Sequence, residues 1–315
     1  MRSIRIWLVV LLCVCSVAAY AQIEVGYGEG PGKVGYFNQN NHPGEEEPYP
    51  VGPLAFRLDG DYVWVADSIG AKILKFDRSS KLFAEFSTVA SPAECLIEDF
   101  ALVKNEKAET ESLWIIDGMN KKLIHFDVAG KKLGEIANDE LVQPFRVEVG
   151  RTGHIFVADK GAQVIFLFDA AGKLVSKTNW EWSGFAVAGE TDTLFRLFFE
   201  EESQKSVLVV QMLSGEIAGE IVLELPAHIN PELWWADETA GECIITYTPA
   251  TGFEGKLVVA RVGFDGQVKA TGELTPPYVM NRFIDRQYGN DVWLGIGNFD
   301  DPPQGSFKIE PIALP

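Results

Sequence analysis

Five residues carry the side-chain chemistry that a small-molecule site needs: Asp99, Arg146, Trp234, Asn281 and Arg282. Each stands where a short apolar segment begins, so they would meet at one mouth of a central channel if these segments are the innermost strands of a ring. Two guanidinium groups, a carboxylate and an indole can bind a small anionic or carbohydrate-like ligand by forked hydrogen bonds and stacking. The same side chains can equally form a lining of mutually satisfied polar groups.

The carboxylate and the amide of this set also raise the question of a metal. Calcium takes six to eight oxygen ligands, for which Asp99 and Asn281 are suitable candidates, whereas Arg146 and Arg282 at neighbouring points would repel the ion. His42 stands near Glu45–Glu47, where a metal or proton-transfer role is conceivable, but a solvated acidic loop is the favoured explanation of that cluster. The sequence contains no G-x-S-x-G, H-E-x-x-H, C-x-x-C or P-loop motif.

A repeated pattern would position the five candidate residues. Three apolar segments end in an aspartate, and ten residues after each aspartate a second aspartate ends another apolar segment. The first aspartates are Asp67, Asp117 and Asp159, and the second ones are Asp77, Asp127 and Asp169. Short strands separated by turns, in units of roughly 40–50 residues, are typical of a β-propeller.

Three weaker copies of the unit follow, in residues 185–211, 233–264 and 282–309. Together the copies predict an all-β fold: a six-bladed β-propeller of four-stranded antiparallel blades, in one domain that spans residues 22–315. The last copy has sequence for only three strands, and an open strand edge is unfavourable. We therefore predict that an N-terminal strand, Lys33–Phe37, pairs with the last blade and closes the ring.

The best copy reads Ile155-Phe156-Val157-Ala158-Asp159, then Val164-Ile165-Phe166-Leu167-Phe168-Asp169 and a glycine. This pattern resembles the NHL repeat of six-bladed β-propellers, strongly over residues 52–175 and more weakly beyond. The resemblance implies that Asp67, Asp117 and Asp159 bind the turn that follows each of them. A ring of metal ligands is the other interpretation of these aspartates. NHL-like propellers include exported sensor or scaffold modules and relatives with lyase or lactonase activity.

Other conspicuous residues are expected to have packing roles. Trp64, Trp114 and Trp293 occupy one strand position in their copies, which favours packing between blades. Cys95 and Cys243 fall in or beside copies on opposite sides of the ring, beyond the Cα separation of about 7 Å that a disulfide allows. We expect two free, buried thiols.

Residues 1–21 have the features of a secretory signal peptide. Arg2 and Arg5 precede an apolar run from Ile6 to Ala19, and Ala19-Tyr20-Ala21 follows the small-residue pattern of a cleavage site. The run is shorter than the ~20 apolar residues that a membrane-spanning helix needs. The sequence therefore predicts cleavage after Ala21, export to the periplasm or the medium, and no membrane span.

The chain is acidic, with 45 Asp and Glu against 27 Lys and Arg and a formal net charge of −18. The phosphates of nucleic acid and anionic lipid surfaces repel such a chain, so we predict no nucleic-acid partner. The charge can also serve only to keep an exported protein soluble. The partner we expect is a protein or a small molecule, and the protein itself is expected to be a monomer.

Three functions agree with these observations. The first is an exported, non-catalytic propeller that acts as a binding scaffold. The second is a calcium-dependent hydrolase or lactonase, or a lyase, of the six-bladed type, which would lose activity on Asp99→Ala or Asn281→Ala. The third is a structural component of the cell envelope that partners hold in place.

Overall fold

The computed structural model describes residues 22–40, 51–251, 255–277, 280–286, 292–299 and 305–314. The predicted signal peptide and its cleavage site after Ala21 lie outside these residues, as does His42 with its acidic neighbours. The described residues contain 24 strands and one 3-10 turn, Pro92–Glu94. None of them forms a helix with the length and apolarity that crossing a bilayer requires.

The strands form six sheets of four antiparallel strands each. In the first five sheets, the strands follow chain order from one edge of the sheet to the other. Blades 1 to 3 comprise β2 (Ala55–Asp59), β3 (Tyr62–Asp67), β4 (Lys72–Asp77) and β5 (Leu82–Ser87); β6 (Ile97–Lys104), β7 (Thr110–Asp117), β8 (Lys122–Asp127) and β9 (Lys132–Ala137); and β10 (Pro144–Val149), β11 (Ile155–Asp159), β12 (Val164–Phe168) and β13 (Leu174–Asn179). Blades 4 and 5 comprise β14 (Phe185–Ala188), β15 (Thr193–Glu200), β16 (Lys205–Gln211) and β17 (Ile217–Leu223); and β18 (His228–Asp237), β19 (Glu242–Pro249), β20 (Leu257–Gly263) and β21 (Val268–Leu274).

The sixth blade closes the ring with the first strand of the described chain. Its strands are β22 (Ile284–Arg286), β23 (Val292–Ile296), β24 (Ser306–Ile312) and β1 (Ile23–Gly26). In the antiparallel pair of β1 and β24, Ile23 lies opposite Ile309 and Val25 lies opposite Phe307. All four side chains are buried while Glu24 is exposed, so the alternation of this short segment matches a half-buried edge strand.

The prediction that an N-terminal strand completes the last blade is confirmed, but the segment chosen for it, Lys33–Phe37, is wrong. Val34 forms only an isolated parallel bridge with Tyr27. The backbone N–H of Gly35 donates to Asp67 Oδ2 at 3.0 Å, which holds the segment over the end of β3. The N–H groups of Val34 and Phe37 donate to the carbonyls of Gly26 and Val51, so the segment folds back on the end of β1 and on the following loop and does not pair with β24.

The first strands of the six blades contact one another in an unbroken cycle: β2 with β6, β6 with β10, β10 with β14, β14 with β18, β18 with β22, and β22 with β2. These are therefore the innermost strands, and they surround a central channel. The predicted six-bladed propeller is confirmed.

Apolar packing holds neighbouring blades together. The buried apolar residues form six clusters, and each cluster draws on two adjacent blades. Trp64 lies in the cluster between blades 1 and 2, Trp114 between blades 2 and 3, and Trp293 between blades 6 and 1. The interpretation of these tryptophans as inter-blade packing is confirmed. Truncating such a buried indole costs about 3–5 kcal/mol.

The aspartates that end β3, β7 and β11 are buried and accept hydrogen bonds from the turns that follow them. The backbone donors are Gly70 for Asp67 (2.9 Å), Asn120 for Asp117 (3.2 Å) and Ala162 for Asp159 (2.8 Å). Burial raises the pKa of Asp67, although the N–H groups of Gly70 and Gly35 oppose that shift. The three carboxylates belong to three different blades, and each serves its own turn.

The two cysteines of the described chain, Cys95 and Cys243, are buried and free, as expected. Cys95 belongs to the cluster between blades 1 and 2, and Cys243 to the cluster between blades 4 and 5. Burial, reinforced by Asp117, raises the pKa of the Cys95 thiol to about 12. Burial, reinforced by Glu242, raises the pKa of the Cys243 thiol to about 12 as well.

Candidate functional site

Charged side chains, rather than apolar ones, meet at the centre of the propeller. Four of them are almost wholly buried: Arg57 on β2, Asp99 on β6, Arg146 on β10, and Arg282 just before β22. Because charged groups at this depth are unfavourable unless they are paired, their partners determine what the channel can do.

Asp99 is the centre of the first group of contacts. Its Oδ2 lies 3.1 Å from Arg282 Nη2 and 3.5 Å from Arg57 Nη2, and it also accepts the backbone N–H of Val147 at 3.0 Å. Burial alone would raise the pKa of Asp99, but the two guanidinium groups and the N–H outweigh it, so the pKa is lowered. Asp99 is therefore a fixed anion with its oxygens already bound.

Glu148 joins the same two arginines from a third blade. Its Oε1 lies 2.6 Å from Arg282 Nη2, and its Oε2 lies 3.3 Å from Arg57 Nη1. Arg57 also donates to the backbone carbonyl of Val147 at 2.7 Å. Asp99, Glu148, Arg57 and Arg282 thus form a balanced set of two anions and two cations, which we call the channel network, and it links blades 1, 2, 3 and 6.

Arg146 stands apart from the channel network. Its Nη1 donates to Glu232 Oε1 at 3.0 Å, and its guanidinium carbon lies 4.5 Å from the centre of the Trp234 ring. Its side chain has no solvent exposure, and its Nε and Nη2 have no acceptor among the described residues. Burial and the charge of Arg282 lower the pKa of Arg146 to about 10, so the group remains a cation at neutral pH.

The residues around Arg146 form a polar rim, at the end of the channel where the innermost strands of blades 2 and 3 begin. Asn281 Nδ2 donates to the carbonyl of Glu98 at 2.9 Å and to its carboxylate at 2.6 Å. Burial raises the pKa of Glu98 and lowers that of Lys160. The Glu232 side chain is 31% exposed, so this end of the channel borders solvent, while burial of its carboxyl group raises the pKa of Glu232.

The structure places Asp99, Arg146, Asn281 and Arg282 in polar contacts at the channel, whereas Trp234 belongs to the apolar cluster between blades 5 and 6 and only its ring contacts Arg146. Asp99 pairs with Arg282, and Arg146 packs on Trp234. The side-chain amide of Asn281 is used by Glu98, so the five residues do not converge on one ligand position. Sequence reasoning missed several members of the site: Arg57, Glu98, Glu148, Lys160 and Glu232. A signal for one of them was available, since Glu148 lies two residues after Arg146 and alternate strand residues share a face.

The donor chemistry of the channel does not fit calcium. The oxygens of Asp99 face two guanidinium groups, and Arg146 adds a third cation to the same channel. Calcium prefers a shell of carboxylate and carbonyl oxygens that such cations would oppose. Across the described ranges, no three His, Cys, Asp or Glu side chains are arranged to hold a metal ion.

One histidine–serine pair has the contact expected of a base and a nucleophile. His228 Nε2 lies 2.8 Å from Ser206 Oγ, and His228 Nδ1 lies 2.7 Å from the carbonyl of Pro226. Because the carbonyl only accepts, the proton resides on Nδ1 and Ser206 donates to Nε2. Both side chains are fully buried between blades, so no substrate reaches them.

Two other histidines also contact hydroxyl groups. His154 Nδ1 lies 2.6 Å from Thr152 Oγ1 and 3.3 Å from Asp192 Oδ2, so the hydroxyl and the carboxylate share one ring nitrogen. A nucleophile relay needs them on opposite nitrogens. His125 lies 2.8 Å from Ser112 Oγ, and burial lowers its pKa. These contacts are structural.

Comparison of the sequence with protein-family models and with curated proteins gives no match. Solved structures do match. The chain is similar to hydrazine synthase from Kuenenia stuttgartiensis, with a TM-score of 0.53 and 14% identity over 78% of this chain and 74% of that one. A streptogramin B lyase structure has a TM-score of 0.52 and 15% identity over 84% and 94%. Virginiamycin B lyase from Staphylococcus aureus has a TM-score of 0.51 and 16% identity over 84% and 85%. At these identities the likeness shows the fold alone.

Proposed function

We propose that this protein is an exported, non-catalytic, NHL-like propeller that binds a ligand through a carboxylate group at the channel mouth. Arg146 carries the proposal. Its Nε–H and the adjacent Nη2–H are the two parallel donors of a guanidinium fork, and both lack an acceptor among the described residues. A buried cation with two unused donors points to a missing acceptor, and a carboxylate matches that fork with two oxygens.

The contacts of Arg146 give the fork a fixed direction. Glu232 holds Nη1, and Trp234 supports one face of the guanidinium. A donor pair that is already ordered loses little conformational entropy when a ligand binds. The partial exposure of Glu232 indicates where a ligand approaches, and the cationic Lys160 interacts electrostatically with both Glu232 and Arg146 at the same rim.

The channel network supports a binding role over a catalytic one. The carboxylates of Asp99 and Glu148 are each engaged by two arginines, so neither is available as a general base or a metal ligand. The alternative of a calcium-dependent hydrolase or lactonase has no observation in its favour. The lyase alternative rests only on the NHL resemblance and on fold-level likeness.

The proposals of export and of membership among NHL-like propellers have separate support. Export rests on the composition of residues 1–21, with two arginines, an apolar run and a small-residue ending. The NHL-like assignment rests on the aspartates that bind the turns after β3, β7 and β11, each from the same strand position.

The test is calorimetric titration of the protein that begins at Gln22 with acetate, succinate and galacturonate. The uncharged amides of these acids, at the same ionic strength, are the ligand controls. We expect at least one acid to bind and its amide not to bind. Arg146→Lys keeps a cation beside Glu232 but removes the fork, so we expect at least tenfold weaker binding, as the loss of a bidentate pair implies.

Arg151→Lys is the matched variant, because Arg151 lies in the same blade but is 62% exposed and pairs with Glu190 at the surface. It should leave carboxylate binding unchanged. The proposal is refuted if the acids and their amides bind with equal affinity. It is also refuted if a folded Arg146→Lys variant binds the acids as tightly as the unmodified protein. Ordered water would then be the acceptor of the two Arg146 donors.

A further inference from the structure

The connection between β13 and β14 carries an unusual tryptophan. Trp182 is 51% exposed, whereas the other tryptophans of the described chain are buried or half-buried. Exposing an indole in water is unfavourable, and a folded protein usually covers it. Its position between the third and fourth blades is separate from the channel network.

The backbone of Trp182 is strained as well. Its φ is 68°, in the left-handed region that bulky residues rarely adopt. The connection is fixed on both sides, because Arg196 Nη1 donates to the carbonyl of Asn179 at 2.9 Å and the N–H of Leu233 donates to the carbonyl of Ser183 at 2.7 Å. Backbone strain that the surrounding structure maintains is typical of functional positions.

Trp180 stacks on one face of the exposed Trp182 ring. The two indoles are stacked, with ring centres 5.3 Å apart and planes at 26°. Trp180 is buried and packs against Phe145 at 5.1 Å, so it forms a rigid base. Its indole N–H is also buried and has no acceptor among the described residues, which is an independent sign of a missing partner at this place.

The surroundings of Trp182 favour one class of ligand. Asn179 and Glu181 are exposed and lie within three residues of Trp182 in the chain, so the same connection supplies an amide and a carboxylate that can bind hydroxyl groups. Half of one indole is an area of roughly 100 Å², far below the ~800 Å² per partner of a stable protein interface. The net charge of −18 opposes an anionic ligand such as a nucleotide, whereas the charge of Glu181 is partly offset by Arg196.

We propose that Trp182, backed by Trp180, is a stacking site for the pyranose ring of a neutral saccharide. The C–H face of the sugar covers the exposed indole, and its hydroxyl groups bind Asn179 and Glu181. This site does not depend on the carboxylate site at Arg146.

The test is titration of the protein that begins at Gln22 with neutral hexasaccharides of glucose, xylose and N-acetylglucosamine. Binding is followed by tryptophan fluorescence and by calorimetry. We expect at least one saccharide to bind and to shift the emission to shorter wavelength, because the sugar displaces water from Trp182. Trp182→Ala should weaken binding at least tenfold, and Trp182→Phe should retain part of it.

Two further variants separate binding from folding. Phe83→Ala removes another exposed aromatic ring, 63% exposed on β5 of the first blade, and should leave saccharide binding unchanged. Trp182→Gly accepts the positive φ without strain, so we expect it to abolish binding while the melting temperature stays the same or rises by a few degrees. The proposal is overturned if no hexasaccharide binds, if Trp182→Ala binds as tightly as the unmodified protein, or if Trp182→Gly lowers the melting temperature by several degrees.

Discussion

Arg57 of the first blade and Glu148 of the third blade meet at the channel, with 3.3 Å between Nη1 and Oε2, although 91 residues separate them in the chain. The blades that carry them are not neighbours in the ring. The pair therefore holds the propeller together across its centre, whereas the apolar clusters hold it together around its circumference.

Removing the charge of Glu148 should destabilise the protein strongly. In Glu148→Gln, the buried Arg57 and Arg282 keep Asp99 as their ion-paired partner and retain only the electrostatic attraction of the nearby Asp285. We expect a loss of about 3 kcal/mol in the free energy of unfolding, measured by urea denaturation. The control is Glu273→Gln, at the exposed pair with Lys256, where the loss should stay below about 1 kcal/mol. Similar losses in the two variants would show that the network contributes little.

The lowered pKa of Asp99 predicts how stability depends on pH. A carboxyl group whose pKa is lower in the folded state stabilises the protein above its ordinary pKa of 3.8, and this contribution disappears as the pH falls through the lowered value. Asp99→Asn should therefore be much less stable than the unmodified protein at about pH 7, and the difference should narrow at about pH 3. Urea denaturation across this range measures it. A difference that does not change with pH would contradict the assignment.

Disrupting the closing strand should affect the whole ring. Ile23→Asp places a carboxylate in the buried face between β1 and β24, so we expect a loss of about 3 kcal/mol or more in the free energy of unfolding. Glu24→Gln changes the neighbouring exposed residue and should lie within about 0.5 kcal/mol of the unmodified protein. Equal stability of the two variants would mean that β1 does not contribute to closure.

Calcium should not bind at the channel. We expect the melting curves in calcium and in a chelator to coincide, because the guanidinium groups of Arg57 and Arg282 already form ion pairs with the carboxylate of Asp99. Metal analysis of the purified protein supplies the second measurement. A stoichiometric calcium ion and a calcium-dependent melting temperature would revive the hydrolase alternative.

The buried thiols should be inert in the native protein. With the pKa of Cys95 and of Cys243 raised to about 12, very little thiolate exists near neutral pH, and neither sulfur is exposed to reagent. In the protein that begins at Gln22, we expect no rapid reaction with a thiol reagent and two reactive thiols after denaturation. Fast modification of the native protein would show that an inter-blade cluster opens.

The sequence predicted the six-bladed ring better than it predicted which residues lie in the central channel. Asp67, Asp117 and Asp159 recur with apolar strands at similar intervals, and a local repeat of this kind determines the blades. Asp99 and Arg146 were found because each lies near the start of an innermost strand. Arg57 is the third residue of β2, as Asp99 is of β6 and Arg146 is of β10, and it was missed because the register of the first blade was set differently from the other two. Glu148 was missed because only the first residues of the strands were considered, although alternate residues also face the channel.

Two other features depend on contacts that no local pattern records. β1 is four residues long, and its pairing with β24 follows from the geometry of the closed ring rather than from its own sequence. The importance of Trp182 comes from its exposure, its positive φ and its stacking on Trp180, which are all properties of a turn in three dimensions.

The pairing of β1 with β24 also constrains the order of biosynthesis. Ile23 lies 286 residues before its partner Ile309 in the chain, so the segment that carries Ile309 must be made before the sixth blade can form. Until then, the cluster that joins blades 6 and 1 lacks Phe307 and Ile309, and its other apolar side chains have no complete partner surface. Without this segment the ring stays open, and the apolar faces of the sixth and first blades are exposed in the way that makes incompletely folded chains prone to aggregate.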